Sequence, residues 1–266
     1  MVTLASCLFG ALAAMMLYKL IALGFGLDPS LDPSQLNANT TPAERWQVRM
    51  LMGLSHLGTF VASGAVVVHL FYRYYRPENG TTNSDWRTYL GWTPAPGFQI
   101  VGLALLLMAV SLPLVLFSFE INKALPLPDA FKVMEDQTNE ALKALLVMDS
   151  PLELFANLTL IAFLPAIGEE LIFRGLLQKQ LLRRIANPWT ALVLGAVIFS
   201  FIHFQFEGFL PRILLGFLLG WLYWRTGNFW VPVIAHFFNN AIQVVGQYLY
   251  GKEISAIDLE QDISIP

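Results

Sequence analysis

The feature that most constrains this chain is the arrangement of its apolar residues in long runs, near 3–27, 48–72, 98–119, 153–184, 189–206, 211–226 and 229–250. Crossing a hydrocarbon core of about 30 Å takes roughly 20 helical residues, so runs of this length separated by short polar stretches predict spans rather than one amphipathic stripe per helix. The predicted fold is all-α, a polytopic transmembrane bundle of about seven spans, within a range of six to eight. Composition agrees: 13% of the residues are charged, where a soluble domain carries roughly 25%, and the mean hydropathy is +0.56.

The polar stretches divide the chain. Residues 1–119 read as N-terminal transmembrane helices, 120–150 as an extramembrane linker, 151–250 as a second helical core and 251–266 as a tail. The linker at 28–47 has no periodic apolar pattern and reads as an irregular loop. The one at 73–97 combines Arg73, Arg76 and Arg87 with Trp86, Tyr89 and Trp92, a mixture that marks a membrane surface. After Pro126 and Pro128, Phe131, Met134, Ala141, Leu142, Leu145 and Leu146 recur at helical spacing among charged side chains, which predicts an amphipathic surface helix near 129–148. Ser150, Pro151 and Glu153 then form the signature of a helix N-terminus with a capping box. The linkers at 73–97 and 174–188 with Arg225 hold eight Lys and Arg, and the opposite side holds seven. That small bias favours a cytoplasmic N-terminus, in what is expected to be a bacterial plasma membrane.

Some classes are set aside by composition. A net charge of -3 and no basic block interleaved with aromatics leave nothing to hold a phosphate backbone, so nucleic acid is not an expected partner. The single Cys7 has no internal disulfide partner and no companion thiolate. The first run lacks a basic n-region, carries Lys19 and exceeds a signal-peptide core, so it is read as a span.

Ionisable groups inside apolar runs cost roughly 2.5–3.5 kcal/mol each on insertion scales and are usually functional. The second half holds several. Glu170 and Arg174, four apart on a helix, can pair and lower the cost of burying both. Glu169, rotated by about 100°, is left as the less neutralised carboxylate, suited to general-base work in a low-dielectric site. Phe199 to His203 end the fifth run, and His236 and Asn240 share a face of the last. Imidazole and carboxamide supply what hydrolysis at a carbonyl needs: a base or metal ligand, and a neutral donor for an oxyanion.

Depth decides whether they meet. If the fourth helix runs to Arg184 and the fifth starts at Pro188, Glu169 and His203 each lie about 15 residues, roughly 22 Å, from the shared linker. Asn240 lies roughly 18 Å from the start of the last span, with His236 one turn shallower. A fourth helix ending at Glu170 would instead put Glu169 and His203 on opposite faces. The run from Leu176 to Leu182, closed by Arg183 and Arg184, favours the long helix.

Glu169-Glu170 with Arg174, Phe199 with His203, and His236 with Asn240, in this order on successive apolar helices, resemble the CPBP family, also called Abi or the CAAX prenyl protease 2/lysostaphin resistance protein A-like family. The resemblance covers roughly 150–250. It implies an intramembrane endopeptidase acting on a membrane-associated protein or peptide, in which Glu169, aided by His203, activates water. Asn240 with His236 would steady the oxyanion, Glu170 and Arg174 would organise the site, and Phe199 and Phe173 would contact substrate. No cofactor is required in this reading. Zinc on Glu169, His203 and His236 is the alternative, disfavoured because the His-Glu-x-x-His spacing of soluble zincins is absent. A non-catalytic scaffold or bacteriocin-immunity-type protein that binds a partner is the competing function. A proton-relaying transporter lacks support from an inverted repeat or paired broken helices. His56 and His69 match no motif and are expected to be structural, Asn239 to be a packing amide, and Trp221, Tyr223 and Trp224 an interfacial belt.

Overall fold

The computed structural model describes residues 2–36, 40–74, 86–92, 94–126 and 129–250. Arg76, Pro128, residues 75–85 and 93 of the 73–97 linker and the tail at 251–266 lie outside the described residues, as do the side chains of Arg73 and Met134. The elements in order are α1 (Val2–Phe25), the continuous helical run α2 (42–74), a short α3 (Trp86–Leu90), α4 (Phe98–Lys123), α5 (Asp129–Leu146), the long run α6 (151–184), α7 (Pro188–Phe201), α8 (Phe209–Thr226) and α9 (Trp230–Tyr250). Among the described residues there is no strand. The protein is an all-α membrane bundle.

Three stretches are long and apolar enough to span by length and composition alone: Val2–Phe25, Pro42–Leu70 and Phe98–Lys123. Only 11% of the most apolar part of Phe98–Lys123 is buried inside the protein, and Phe9, Leu12, Leu103 and Val110 are exposed. An apolar surface of that extent is unsuited to water and faces lipid. The remaining helices stand at the expected places; Pro188–Phe201 is apolar but only 14 residues long. The fifth is shorter than expected, ending at Phe201 rather than 206. Its chain then closes two tight bonds, His203 N to Ser200 O and Phe204 N to Phe201 O, and Phe204 takes a left-handed φ of 52°.

What ends α7 is a set of polar clamps on the following turn. Glu135 of α5 accepts from the backbone N–H of Phe206 at 2.8 Å and of Glu207 at 3.0 Å. Asn122 of α4 donates to Phe206 O and accepts from Leu210 N, while Arg212 holds the Gln205 side chain and carbonyl. Unsatisfied backbone groups at membrane depth are costly, and these three side chains supply the partners. The surface helix, read correctly from its periodicity, is therefore also a brace. Its apolar Ala144 and Leu145 pack with Leu36 and Val48.

The 28–47 linker was expected to be irregular throughout, but α2 starts within it at Pro42. Thr41 accepts from Glu44 N and Glu44 accepts from Thr41 N, a complete capping box that orders the first turn. At the start of α6, Ser150 caps Glu153 N as expected, but Glu153 reaches back to Asp149 N rather than to Ser150 N. Its other carboxylate oxygen accepts from Arg49 at 2.9 Å. Arg49 also donates to Asn157 and to the carbonyls of Leu145 and Val147, so one buried guanidinium joins α2, the end of α5 and the start of α6.

Removing one partner of a buried ion pair leaves the other unpaired at a cost of about 3–5 kcal/mol. Arg49→Ala is expected to lose that much in denaturation of the detergent-solubilised protein. Arg45→Ala, whose partner Asp149 is 70% exposed, is expected to lose less than about 1 kcal/mol.

Candidate active site

The long α6 is what brings the second-half residues to one depth. It runs unbroken as helix to Arg184, in segments Pro151–Asn157, Leu158–Phe163, Leu164–Ile172, Phe173–Gln178 and Lys179–Arg184. Two of these, Leu158–Phe163 and Phe173–Gln178, are wide π turns, as is Leu57–Ala62 in α2. Wide turns inside α-helices recur at functional sites, and these flank Glu169 and follow His56. One has a visible cause. Pro165 has no N–H, so the Ile161 carbonyl, one α-turn earlier, cannot receive one from it, and Asn240 Nδ2 lies 3.4 Å from that oxygen. Gly168, next to Glu169, has no side chain because a Cβ there would stand 2.7 Å from Phe60 Cβ. That contact sets α2 tightly against α6.

Glu170 is fully buried, at 0% exposure. Its Oε2 lies 2.9 Å from Arg174 Nε, and the contact is an ion pair whose N–H does not point along it. Its Oε1 faces His236 Nδ1 at 2.9 Å. Arg174 also donates to the Gly216 carbonyl, and Gln178, one turn on, donates to that of Gly220. The Arg174 guanidinium lies 5.1 Å from the Phe199 ring centre. The predicted Glu170–Arg174 pair is thus present, and it anchors α6 to α8 and α9.

Glu169 makes no contact with Arg174 and faces imidazoles instead. Its Oε2 lies 3.8 Å from His203 Nε2 and 3.9 Å from His236 Nε2, and its Oε1 lies 3.7 Å from His56 Nε2. His203, though beyond the end of α7, is fixed by its Nδ1 contact of 2.7 Å with Phe199 O. All of these groups except Glu170 and Arg174 line a cavity of about 680 Å³, as do Asn239 and Asn240. Ligand pockets are commonly about 300–1,000 Å³. Its far wall includes Gln137, Thr138 and Leu142 of the surface helix.

Sequence-predicted Glu169, His203, His236 and Asn240 are therefore brought together, and Phe199 lines the same cavity. Phe173 is placed elsewhere: it is buried behind Phe199, edge-on at 4.9 Å, among core residues and outside the cavity lining. Asn239 bonds to Asn240 at 3.3 Å. His56, expected to be structural, stands at the site. The signal that could have flagged it is the cost of any ionisable ring in an apolar run. It has no site carboxylate near it in sequence, and only the packing of α2 on α6 supplies one.

Residues 151–242 match the family model described as type II CAAX prenyl endopeptidase Rce1-like. This segment belongs to the CPBP family. Two Bacillus subtilis (strain 168) proteins resemble parts of the chain. One is the uncharacterized protein YpbD, 34% identical over 90 residues, 32% of this chain and 43% of that protein. The other carries the name "Putative membrane peptidase YdiL" and is 35% identical over 81 residues, 30% of this chain and 33% of that protein. The chain spans less than half the length of these curated relatives. No solved structure matches it. The CPBP segment contains every site residue predicted from sequence, and His56 lies outside it.

The buried CPBP ion pair yields a stability test. Arg174→Met is expected to destabilise the protein by about 3–5 kcal/mol, because it strands the Glu170 charge. Adding Glu170→Gln, which removes that charge while keeping an acceptor for His236 Nδ1, is expected to recover most of the loss in the same denaturation measurement.

Proposed function

We propose that this protein is an intramembrane endopeptidase of the CAAX-processing type, cleaving a peptide bond in a membrane-associated protein or peptide with a water activated by Glu169. The observation that carries the reading is one carboxylate facing three imidazoles in a cavity, beside a second carboxylate already neutralised by Arg174. The 3.8 Å between Glu169 Oε2 and His203 Nε2 is the span one water bridges with a hydrogen bond to each. Glu169 takes a proton from that water as the oxygen attacks the carbonyl carbon, then returns it to the leaving nitrogen as the C–N bond breaks. Holding the water and carbonyl together in this cavity supplies orientation that free solution lacks.

The oxyanion falls to His236 and Asn240. His236 engages Glu170 through Nδ1, so it donates from Nε2 when it carries both protons. Asn240 has two amide protons, one directed to Ile161 O and one left for the oxyanion. Phe199 packs against His203 at 5.0 Å and His236 at 6.1 Å and so keeps both rings oriented.

Zinc fits less well. Two ligands of a tetrahedral zinc stand about 3.3 Å apart at the usual bond lengths, less than the 3.7–3.9 Å between Glu169 and the imidazoles. Among the described residues no set of three His, Cys, Asp or Glu is grouped for a metal ion. We place the chain in a bacterial plasma membrane with its N-terminus in the cytoplasm, on the charge bias of its linkers.

Peptide profiling of the detergent-purified protein tests the reading. Glu169→Ala and His203→Ala are each expected to lower kcat/KM at least about 100-fold, the usual scale of general-base loss, and Asn240→Ala about 100-fold. A chelator is expected to leave the rate unchanged. A wild-type cellular phenotype with Glu169 and His203 both replaced would point to the partner-binding function instead, and cleavage retained in that double variant would overturn Glu169 as the base.

A further inference from the structure

The two histidines of the CPBP segment are committed at Nδ1. A carbonyl oxygen only accepts, so in the 2.7 Å contact with Phe199 O the His203 Nδ1 carries the proton. The Glu170 carboxylate imposes the same on His236 Nδ1. A neutral imidazole holds one N–H. Each of these rings, when neutral, therefore presents a lone pair at Nε2, and both lone pairs converge on Glu169 Oε2, itself an acceptor. Neither can orient the carboxylate by donating to it without taking a second proton.

His56 differs. No hydrogen bond among the described residues fixes its Nδ1, and its Nε2 is buried with no direct partner. The ring is held by stacking on Phe60, with centres 5.1 Å apart and planes at 26°. Phe60 in turn abuts Gly168, the neighbour of Glu169. The Nε2 faces Glu169 Oε1, the oxygen opposite the one that meets His203 and His236. Of the three imidazoles it alone is free to carry Nε2–H while neutral.

Resting on the reading of Glu169 as the base, we propose that His56 is a positioning residue of the same site, supplied by the N-terminal half of the chain. It donates from Nε2 directly to Glu169 Oε1, a ring movement of less than about 1 Å closing the 3.7 Å gap to hydrogen-bond distance. The carboxylate is thereby held with Oε2 toward the nucleophilic water. The N-terminal helices thus complete the hydrolytic site.

Two experiments test this. In detergent-solubilised protein with 15N-labelled histidine, assigned by single His→Gln variants, Glu169→Gln is expected to shift the ring nitrogens of His56 together with those of His203 and His236. The fourth histidine, the exposed His69, is expected to stay in place and serves as internal control. An unmoved His56 overturns the proposal whether or not a substrate is in hand. In the cleavage assay, His56→Phe keeps the stack on Phe60 and removes the donor, and is expected to lower kcat about 10- to 100-fold with KM and thermal stability unchanged. His56→Gln retains an N–H at similar reach and is expected to restore most of kcat. Full activity of His56→Phe, with Glu169→Ala inactive, overturns this inference and leaves the protease reading standing. Cleavage indifferent to Glu169 overturns the reading of Glu169 as the base, and the nuclear resonance shifts then judge the contact alone.

Discussion

A carboxylate sealed from water and lipid, that of Glu170, is the interaction on which the second half of this bundle depends. A charge at 0% exposure is tolerable only with a partner in place, and both partners do further work. Arg174 reaches across to the Gly216 carbonyl and tethers α6 to α8. His236 brings α9 to the same point and has its ring orientation set in return. A Cβ at Gly220 would stand 3.0 Å from Gln178 Oε1 of α6, and one at Gly216 would stand 3.0 Å from Phe199 of α7, so the two missing side chains let α8 lie close to both helices. Electrostatic necessity at one residue thus fixes the relative placement of three helices.

The helices also depart from regular geometry where the site needs it. Pro165 removes a helical donor, and the Ile161 carbonyl meets the amide of Asn240 on another helix. Helix α7 stops at Phe201, so that His203 sits on a turn with its Nδ1 taken by Phe199 O. That turn in turn needs Glu135, Asn122 and Arg212 to satisfy its backbone. A regular helix through 206 would satisfy its own backbone but would give no reason for Glu135 to be buried in a surface helix. The strain-free solution was displaced by one that aims an imidazole.

Much of this was legible in advance. Run lengths gave the bundle, amphipathic spacing gave the surface helix, and the i, i+4 relation of Glu170 to Arg174 gave the ion pair and left Glu169 as the free carboxylate. The matched depths of Glu169 and His203 followed from counting residues to a shared linker, because rise per residue is nearly constant. The start of α2 was missed because the Thr41–Glu44 box sits in a stretch without apolar periodicity. The end of α7 was missed because apolar residues continue to Phe206, and what breaks the helix is a set of side chains from elsewhere. Phe173 and Phe199 were grouped because they flank the motifs, whereas only packing shows that one ring stands behind the other.

The amino-acid sequence by itself determined the membrane bundle and the sets of polar side chains that share a helical face, since covalent geometry and the hydrophobic cost of lipid act over a few turns of one segment. Only the tertiary structure decided which of those faces meet. Glu169 and His56 belong to different halves of the chain, and no spacing rule relates them. Their approach depends on α2 lying against α6 at Gly168 and Phe60, a contact whose closeness comes from a missing Cβ rather than from any charged or polar signal.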